Sequence, residues 1–256
     1  MTCYKQLKGY GVVDDLPDDG VTQLCLPADL TGTQYHNAQI DDYAGLQRQG
    51  FSHRVGRRLE LKAQFSHGAD ELVGTAGFGF WNAPYGNGVA LPQAVWFFFA
   101  SNACDLPLNP HGAGRGWFAS TIDAGSWRAK RLIPLAPLVL VGNQFGRIRQ
   151  RIMPPIMNQL GISYAPIAHD MTEWQHYRLD WQQTGCRFYI NGELLMKTEH
   201  APRGPLGFVC WIDNQYAVVT ARGRVASGVQ PVMQMQSLYI GDLAISEPRK
   251  CESATQ

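Results

Sequence analysis

The chain has 256 residues, of which 45% are hydrophobic and only 17% are charged, and its formal net charge is +1. This length suits two small domains or one large all-β domain, and the near-neutral charge gives no reason to expect a nucleic-acid partner. The amino end lacks the basic and apolar segments of a signal peptide, and no apolar run reaches membrane-spanning length, so the sequence predicts a cytoplasmic protein without a transmembrane segment.

The six cysteines are spread along the chain without any C-x-x-C pair, at positions 3, 25, 104, 186, 210 and 251. Zinc sites and compact disulfide frameworks have closer or more regular spacings. We therefore expect reduced thiols, and the sequence predicts no metal centre and no cofactor.

Most of the chain has patterns typical of β-strands. In residues 57–67 the apolar Leu59, Leu61, Ala63 and Phe65 alternate with polar side chains, as in a strand with one solvated face. Similar β-branched and aromatic content predicts further strands within residues 35–43, 74–82, 94–101, 175–181, 186–192, 204–212 and 236–246. Because there is neither an internal repeat nor a linker, we expect one all-β sandwich domain over 1–256.

The segment ALPQAVWFFFAS, residues 90–101, differs because both faces of the predicted strand are apolar. Alternation places Val95, Phe97 and Phe99 on one face and Trp96, Phe98 and Ala100 on the other. A strand of this kind must be covered on both sides, by the protein itself or by a ligand.

Residues 124–169 interrupt the strand pattern and read as a partly helical insertion. They contain no Asp or Glu, and their cationic side chains are Arg128, Lys130, Arg131, Arg147, Arg149 and Arg151. The pattern of residues 141–153 predicts a short helix that is terminated by Pro154 and Pro155. The insertion either packs across the sandwich with its arginines in solvent, or forms a lid over an apolar ligand or a surface patch that meets anionic lipid or an anionic ligand.

Residues 177–197 predict two strands joined by a polar turn, followed by a tight turn at Asn191-Gly192 and a third strand. Together with FGFWNAPYGNGVALPQAVWFFFAS, RGPLGFVCWIDNQYA and SLYIGDLAIS, this block resembles the laminarinase and lichenase group of glycoside hydrolase family sixteen. The resemblance covers roughly residues 59–246 apart from the insertion. It implies a concanavalin-like jelly roll of two antiparallel sheets with a ligand groove.

The catalytic strand departs from the family that it resembles. Members of that family carry alternating carboxylates there, because a retaining mechanism needs a nucleophile and a general acid about 5 Å apart. The corresponding positions here are Trp96, Phe98 and Ala100 or Ser101. We therefore expect a groove with a hydrophobic floor and no standard retaining glucanase activity; alternatively, the insertion fills the groove.

Three residues are candidates for acid–base chemistry. Asp213 follows an apolar strand among aromatic residues, which would raise its pKa, although it also suits a turn at a strand end. His36 and Asp42 share one face of an early strand, but six residues separate them, so catalysis would need partners from neighbouring strands.

The predicted ligand-binding residues line the expected groove or its cover. Residues 81–92 form a loop that either makes tight turns or presents aromatic side chains. The candidates are Trp81, Asn82, Tyr85, Trp96, Phe98, Trp211, Gln215, Arg147 and Arg149. Asp242 matches an Asp that helps to hold a structural calcium in the family, but one carboxylate is weak support for an ion that takes about six to eight oxygens.

We favour an enzyme of the cyclase or isomerase type, which acts without hydrolysis on an apolar or aromatic small molecule in the groove. The alternatives are a non-catalytic module that binds a sugar or a lipid-like ligand, and a glycoside hydrolase with relocated carboxylates. Polar side chains that converge in the groove would favour chemistry or sugars, whereas a nearly dry aromatic cavity would favour a hydrophobic ligand.

Overall fold

A computed structural model describes residues 2–16, 20–86, 88–109 and 112–247 of the chain, and Cys251 lies outside them. The strands are β1 (Tyr4–Lys8), β2 (Val12–Leu16), β3 (Val21–Leu26), β4 (Asn37–Asp41), β5 (Arg57–Phe65), β6 (Thr75–Trp81), β7 (Gln93–Ala100), β8 (Gly116–Asp123), β9 (Ser163–Pro166), β10 (Gln175–Gln182), β11 (Gly185–Ile190), β12 (Glu193–Thr198), β13 (Gly207–Asp213), β14 (Gln215–Val219), β15 (Val225–Val229) and β16 (Gln236–Ser246). The helices are α1 (Trp127–Lys130), α2 (Ala136–Gly142) and α3 (Gly146–Gln159), with 3₁₀ turns at Arg48–Gly50 and Ile133–Leu135.

Two seven-stranded antiparallel sheets form the sandwich, which confirms the predicted all-β jelly roll. The first, called the groove sheet below, has the strand order β1-β4-β13-β6-β7-β8-β9. The second, called the back sheet, has the order β12-β11-β10-β5-β16-β3-β2. A separate hairpin of β14 and β15 follows the end of β13.

The hydrophobic core lies between the two sheets and follows the alternation of the strands. In β5 the side chains of Leu59, Leu61, Ala63 and Phe65 are all buried in this core, as the sequence predicts. The aromatic centre of the core is Phe97 of β7, whose ring contacts aromatic rings from both sheets, at centroid distances of 5.0 to 6.3 Å: Phe78, Trp117, Tyr177 and Phe188.

Strand β7 has the two apolar faces that the sequence predicts. Val95, Phe97 and Phe99 belong to the core between the sheets. Trp96 and Phe98 belong to a second apolar cluster on the other face of the groove sheet. The protein therefore buries both faces of the strand, and Trp96 and Phe98 also line a small cavity on the outer face of the groove sheet.

The turn predicted at Asn191-Gly192 is confirmed between β11 and β12. Its residues have φ angles of 51° and 86°, the left-handed conformation that asparagine and glycine tolerate best. Strands β10, β11 and β12 consequently form one edge of the back sheet.

The insertion at 124–169 is partly helical, as predicted, but the predicted end of its helix is wrong. Helix α3 runs from Gly146 to Gln159 and includes Pro154 and Pro155. Proline fixes φ near about −65°, which is compatible with a helix, although each ring removes a backbone donor and crowds the carbonyl of the preceding turn. Met157, which follows the two prolines in α3, is buried. After α3, β9 joins the edge of the groove sheet by pairing with β8.

Five cysteines lie within the described residues, and all five are free: Cys3, Cys25, Cys104, Cys186 and Cys210. None of the described helices has the length and apolar character needed to cross a bilayer.

Candidate functional site

A small cavity lies on the outer face of the groove sheet and has a volume of about 200 Å³. Its aromatic lining is Trp81 of β6, Trp96 and Phe98 of β7, Trp211 of β13, and Tyr35 and Tyr85 from the rim. Its polar lining is Asn37 and Gln39 of β4, Thr75 of β6, Asp213 of β13 and Gln215 of β14. The cavity therefore combines aromatic and polar side chains, whereas the sequence left a polar groove and an aromatic one as alternatives.

Three tryptophans form an aromatic platform in this cavity. The rings of Trp81 and Trp211 are nearly parallel, with an interplanar angle of 10° and centroids 6.5 Å apart. Trp96 lies against both, at 6.0 Å from Trp81 and 5.5 Å from Trp211. Phe98 extends the surface at 4.8 Å from Trp96. The parallel pair contributes indole surface to the wall of a cavity that also contains hydrogen-bonding groups.

Glycines make room for this platform. Gly77 and Gly79 of β6 stand opposite Trp211 and Trp96 in the neighbouring strands. A Cβ at Gly79 would lie 2.6 Å from the Cβ of Trp96, and a Cβ at Gly77 would lie 3.1 Å from the ring of Trp211. This role is not among those predicted above, although its signal is visible in the sequence as glycines two residues apart on the groove face of one strand.

Hydrogen bonds fix two of the three tryptophans. The indole N–H of Trp81 donates to the hydroxyl of Tyr43 at 2.7 Å, and that of Trp211 donates to Thr75 Oγ1 at 3.0 Å. The indole N–H of Trp96 is buried and has no acceptor among the described residues. Packing alone therefore holds Trp96, and it leaves one donor of the cavity wall unsatisfied.

Asp213 is the carboxylate of the cavity and is only 7% exposed. Its Oδ1 accepts hydrogen bonds from the backbone N–H and hydroxyl of Thr75, at 3.1 and 3.0 Å, and from the backbone N–H of Gln215 at 3.0 Å. Its Oδ2 accepts a weaker one from the hydroxyl of Tyr35 at 3.4 Å. Burial raises the pKa of Asp213 to about 7, because desolvation of the charged form outweighs these donors.

The raised pKa of Asp213 predicts a pH dependence of stability. The folded protein retains the Asp213 proton at pH values where the unfolded chain has lost it, so this contribution is fully present below about pH 4 and is lost as the pH rises towards 7. In the Asp213→Asn variant this side chain is neutral at every pH, so the free energy of unfolding should fall less between pH 4 and 7 than it does in the parent. Urea denaturation of both proteins between pH 4 and 8 measures the difference, and parallel profiles would contradict the assignment.

The polar wall beside Asp213 comes from β4, the strand that pairs with β13. Gln39 donates through Nε2 to the carboxylate of Asp41 at 2.8 Å and to the hydroxyl of Tyr43 at 3.3 Å. Tyr43 also accepts from Trp81, so one hydroxyl connects the amide of the polar wall to the aromatic platform. These contacts hold the Gln39 side chain in a defined orientation at the cavity.

The rim loop gives its two predicted residues different roles. Asn82 is buried and closes the loop, because it donates to the backbone oxygen of Leu91 at 2.9 Å and accepts from the backbone N–H of Gln93 at 3.0 Å. Tyr85 lines the cavity and is 80% exposed. The structure thus brings Tyr85 to the cavity and gives Asn82 a structural position.

Neither His36 nor Asp42 lines the aromatic cavity. His36 is fully buried, with Nε2 2.8 Å from Asp29 and Nδ1 accepting from the backbone N–H of Tyr10, and its hydrogen bond lowers the pKa of Asp29 to about 2. Asp42 lies 2.5 Å from Nε2 of His53 and accepts from the backbone N–H of Phe208. The physical reason is alternation, because the opposite face of β4 lines the cavity.

Among the side chains that the structure describes, none from 124–169 lines the aromatic cavity. Arg149 instead lines a separate cleft of about 690 Å³, between α3 and the turn that joins β14 to β15. Arg222 and Arg224 line the same cleft. Arg147 is exposed on α3. The structure therefore places neither of the two predicted arginines at the aromatic cavity.

The surroundings of Asp242 do not fit a calcium ion. Asp242 lies where the pairing of β16 with β5 shifts register, and its carboxylate forms an ion pair with Lys62 at 2.9 Å. In the part of the chain that the structure describes, no three side chains of His, Cys, Asp or Glu form a metal-binding cluster. One carboxylate already paired with a lysine cannot supply the oxygen ligands that calcium takes.

Comparison with protein-family models and with curated proteins finds no match. Among solved structures, the β-glucanase of Bacillus licheniformis has a TM-score of 0.51 at 11% identity, covering 96% of this chain and 92% of that one. An endo-acting O-glycanase of the human gut microbiota has a TM-score of 0.49 at 10% identity, covering 96% and 91%. The pseudo β-1,3-glucanase Rv0315 of Mycobacterium tuberculosis has a TM-score of 0.48 at 12% identity, covering 90% and 78%. The chain therefore has the concanavalin-like jelly-roll fold of the Bacillus licheniformis β-glucanase, and at this identity the likeness shows the fold alone.

Proposed function

We propose that the protein binds carbohydrate in the aromatic cavity of the groove sheet and does not hydrolyse it. The observation that carries this proposal is the nearly parallel pair Trp81 and Trp211 in one cavity with Gln39 and Asp213. A pyranose ring has an apolar C–H face and a rim of hydroxyl groups. A flat aromatic surface beside oriented amide and carboxyl groups complements both parts of such a ring.

The polar lining favours a sugar over the apolar or aromatic small molecule that the sequence suggested. An apolar ligand would desolvate Asn37, Gln39 and Asp213 without replacing their hydrogen bonds to water, which costs free energy for each group. A sugar hydroxyl both donates and accepts, so it can satisfy amide and carboxyl groups alike. The β-glucanase with the same fold is a glycan-processing protein by name, which adds an analogy at the level of the fold.

The size of the cavity limits what it can enclose. Its volume of about 200 Å³ is smaller than the roughly 300–1,000 Å³ of sites that enclose a drug-sized ligand. One sugar ring can rest on the tryptophan pair while the rest of an oligosaccharide remains outside. Tyr85, which is exposed at the rim, is placed to contact that remaining part.

Glycoside hydrolysis requires two carboxyl groups, and the described lining of the cavity supplies one. Asp41 on β4 is fully buried, and its carboxylate accepts hydrogen bonds from Gln6, from Gln39 and from the backbone N–H of Tyr43. Donors of the protein itself already occupy this carboxylate, which argues against the alternative of relocated carboxylates.

We expect laminarin and mixed-linkage glucan to release no reducing ends above a blank when they are incubated with micromolar protein. The positions that the resemblance assigns to carboxylates hold Trp96 and Phe98, which can neither attack a sugar nor donate a proton. A reducing-sugar assay over several hours is the measurement. Turnover that Asp213→Asn abolishes would show that a second carboxylate reaches the cavity and that the binding-only proposal is wrong.

Binding is tested by native electrophoresis through gels that contain one soluble polysaccharide each, compared with a gel without polysaccharide. Laminarin, mixed-linkage glucan and an uncharged galactan provide glucose and galactose units in different linkages. The proposal predicts that at least one of them retards the protein, and that Gln39→Leu, which removes the polar amide but keeps the side-chain volume, reduces the retardation. Gln64→Leu on β5 of the back sheet is the matched control. A protein that no glycan retards but that hydrophobic dyes saturate would overturn the proposal.

A second candidate function is proton transfer to or from a bound molecule, and the raised pKa of Asp213 favours it. This would be the non-hydrolytic, cyclase or isomerase type of enzyme, with Asp213 as its single acid–base group. The two functions differ in what happens to the ligand. A ligand recovered unchanged by mass spectrometry and chromatography supports binding alone, whereas conversion by the parent but not by Asp213→Asn supports the enzyme.

A further inference from the structure

The insertion presents an apolar stripe to solvent along helix α2 and the residue that caps its amino end. Leu135, Leu138 and Val141 recur every three residues, a spacing that places them along one side of a helix. They are 48%, 70% and 62% exposed. A stripe of this kind normally packs against a core, so its exposure in a folded protein indicates a surface that meets a partner.

Three more large apolar side chains from the insertion are exposed: Trp127 on α1, Phe145 immediately before α3, and Ile148 in its first turn. With Leu135, Leu138 and Val141 they constitute the exposed apolar set of the insertion. Other residues anchor the segment, since Ala129, Asn143 and Met157 are buried. The exposed set is therefore not the part of the insertion that packs on the sandwich.

Within the insertion itself, the charged side chains are all of one sign. The exposed cations of the insertion include Arg128, Lys130, Arg131, Arg147 and Arg151. The whole segment 124–169 lacks Asp and Glu. None of these five side chains forms an ion pair with a described residue, and Arg131 instead lies 3.9 Å above the ring of Trp127. Arg147 and Arg151 are four residues apart on α3, so they share one side of that helix.

We propose that the insertion docks the protein onto the surface of an anionic lipid bilayer. Exposed Trp, Phe and Leu side chains would enter the boundary between headgroups and acyl chains, and the surrounding Arg and Lys side chains would contact lipid phosphates. Both parts are needed, because the apolar contacts give affinity for any bilayer and the cations select one with negative charge. A protein partner would need acidic side chains placed opposite these cations, whereas an anionic bilayer supplies negative charge at every point of its surface.

This inference does not depend on the proposed sugar binding, because the described residues that line the aromatic cavity include none from the insertion. Loss of sugar binding and loss of lipid binding can therefore be measured as separate effects of separate substitutions.

The test is co-sedimentation of the full chain with sucrose-loaded vesicles. One preparation is pure phosphatidylcholine, and the other contains one quarter phosphatidylglycerol. We expect partitioning into the anionic vesicles to exceed that into the neutral ones at least about tenfold, and to fall when the salt concentration is raised from 0.1 to 0.5 M, because screening shortens the range of the attraction.

Two variants separate the apolar from the charged contribution. Leu135→Ser/Leu138→Ser/Val141→Ser removes the apolar stripe, and Arg147→Gln/Arg151→Gln removes two charges; each should lower partitioning about tenfold or more. The control, Leu30→Ser/Met233→Ser, changes two exposed apolar side chains outside the insertion and should leave partitioning unchanged. Circular dichroism spectra that match the parent show that the variants are folded.

Three results would overturn the inference. The first is equal partitioning into both kinds of vesicle, and the second is no partitioning at all. The third is a concentration-dependent dimer in sedimentation velocity that the triple serine substitution abolishes, because the stripe would then be an interface between copies of this chain.

Discussion

Phe97→Ala should lower the free energy of unfolding by about 3–5 kcal/mol, the cost of deleting a fully buried phenylalanine. The ring is 0% exposed and contacts Phe78, Tyr177 and Phe188, so its removal leaves a cavity lined by rigid aromatic groups that cannot collapse into it. The measurement is the urea midpoint and slope at constant pH.

The matched control for this core substitution is Phe145→Ala. Its ring is 59% exposed, so the same chemical change should alter stability by no more than about 0.5 kcal/mol. Similar losses in the two variants would contradict the assignment of Phe97 to the centre of the core.

The second large effect concerns sugar binding. Trp81→Ala should weaken the affinity for a retained glycan at least about tenfold, since an aromatic wall contributes about 1–3 kcal/mol by burying ligand surface. Trp81 suits this test because it is only partly buried, so its loss should disturb the fold less than loss of Trp96 or Trp211. Isothermal titration with an oligosaccharide of the retained glycan measures the change.

Two comparisons show whether the effect comes from the ring surface. Trp81→Phe keeps a smaller aromatic surface and should fall between the parent and Trp81→Ala. Trp174→Ala removes a half-exposed tryptophan beside β10 of the back sheet and should bind as the parent does. Equal affinities of the parent and Trp81→Ala would show that the sugar does not rest on this platform.

Strands with strong alternation or dense aromatic content could be predicted from sequence. The strand predicted at residues 236–246 coincides with β16. The two faces of β7 follow directly from the alternation of side chains along a strand. Other strands were missed because their signals are local and weak. β1 and β2 are largely exposed at one edge of the fold, and β9 has four residues that become a strand only by pairing with β8.

Alternation and aromatic content also made part of the candidate site predictable. Trp81, Trp96, Phe98, Trp211 and Asp213 do line one cavity, because their strands are neighbours in the groove sheet. The register between strands is set by tertiary pairing, so the sequence could not show which face of β4 meets them. That is why Asn37 and Gln39 line the cavity in place of His36 and Asp42.

The position of the insertion also depends on tertiary contacts that its composition does not encode. The chain around Met157 packs near the turn of β14 and β15, so Arg149 lies in the cleft there rather than over the tryptophans. The basic and apolar composition was visible in the sequence, but the direction in which each helix faces was not.

The most direct test of the central claim is a crystal structure of the protein soaked with an oligosaccharide of the glycan that retards it. The account predicts one pyranose ring lying flat against Trp81 and Trp211, with hydroxyl groups within hydrogen-bond distance of Gln39 and Asp213. A sugar bound elsewhere, for example in the arginine-lined cleft beside α3, with the tryptophan platform unoccupied, would contradict it.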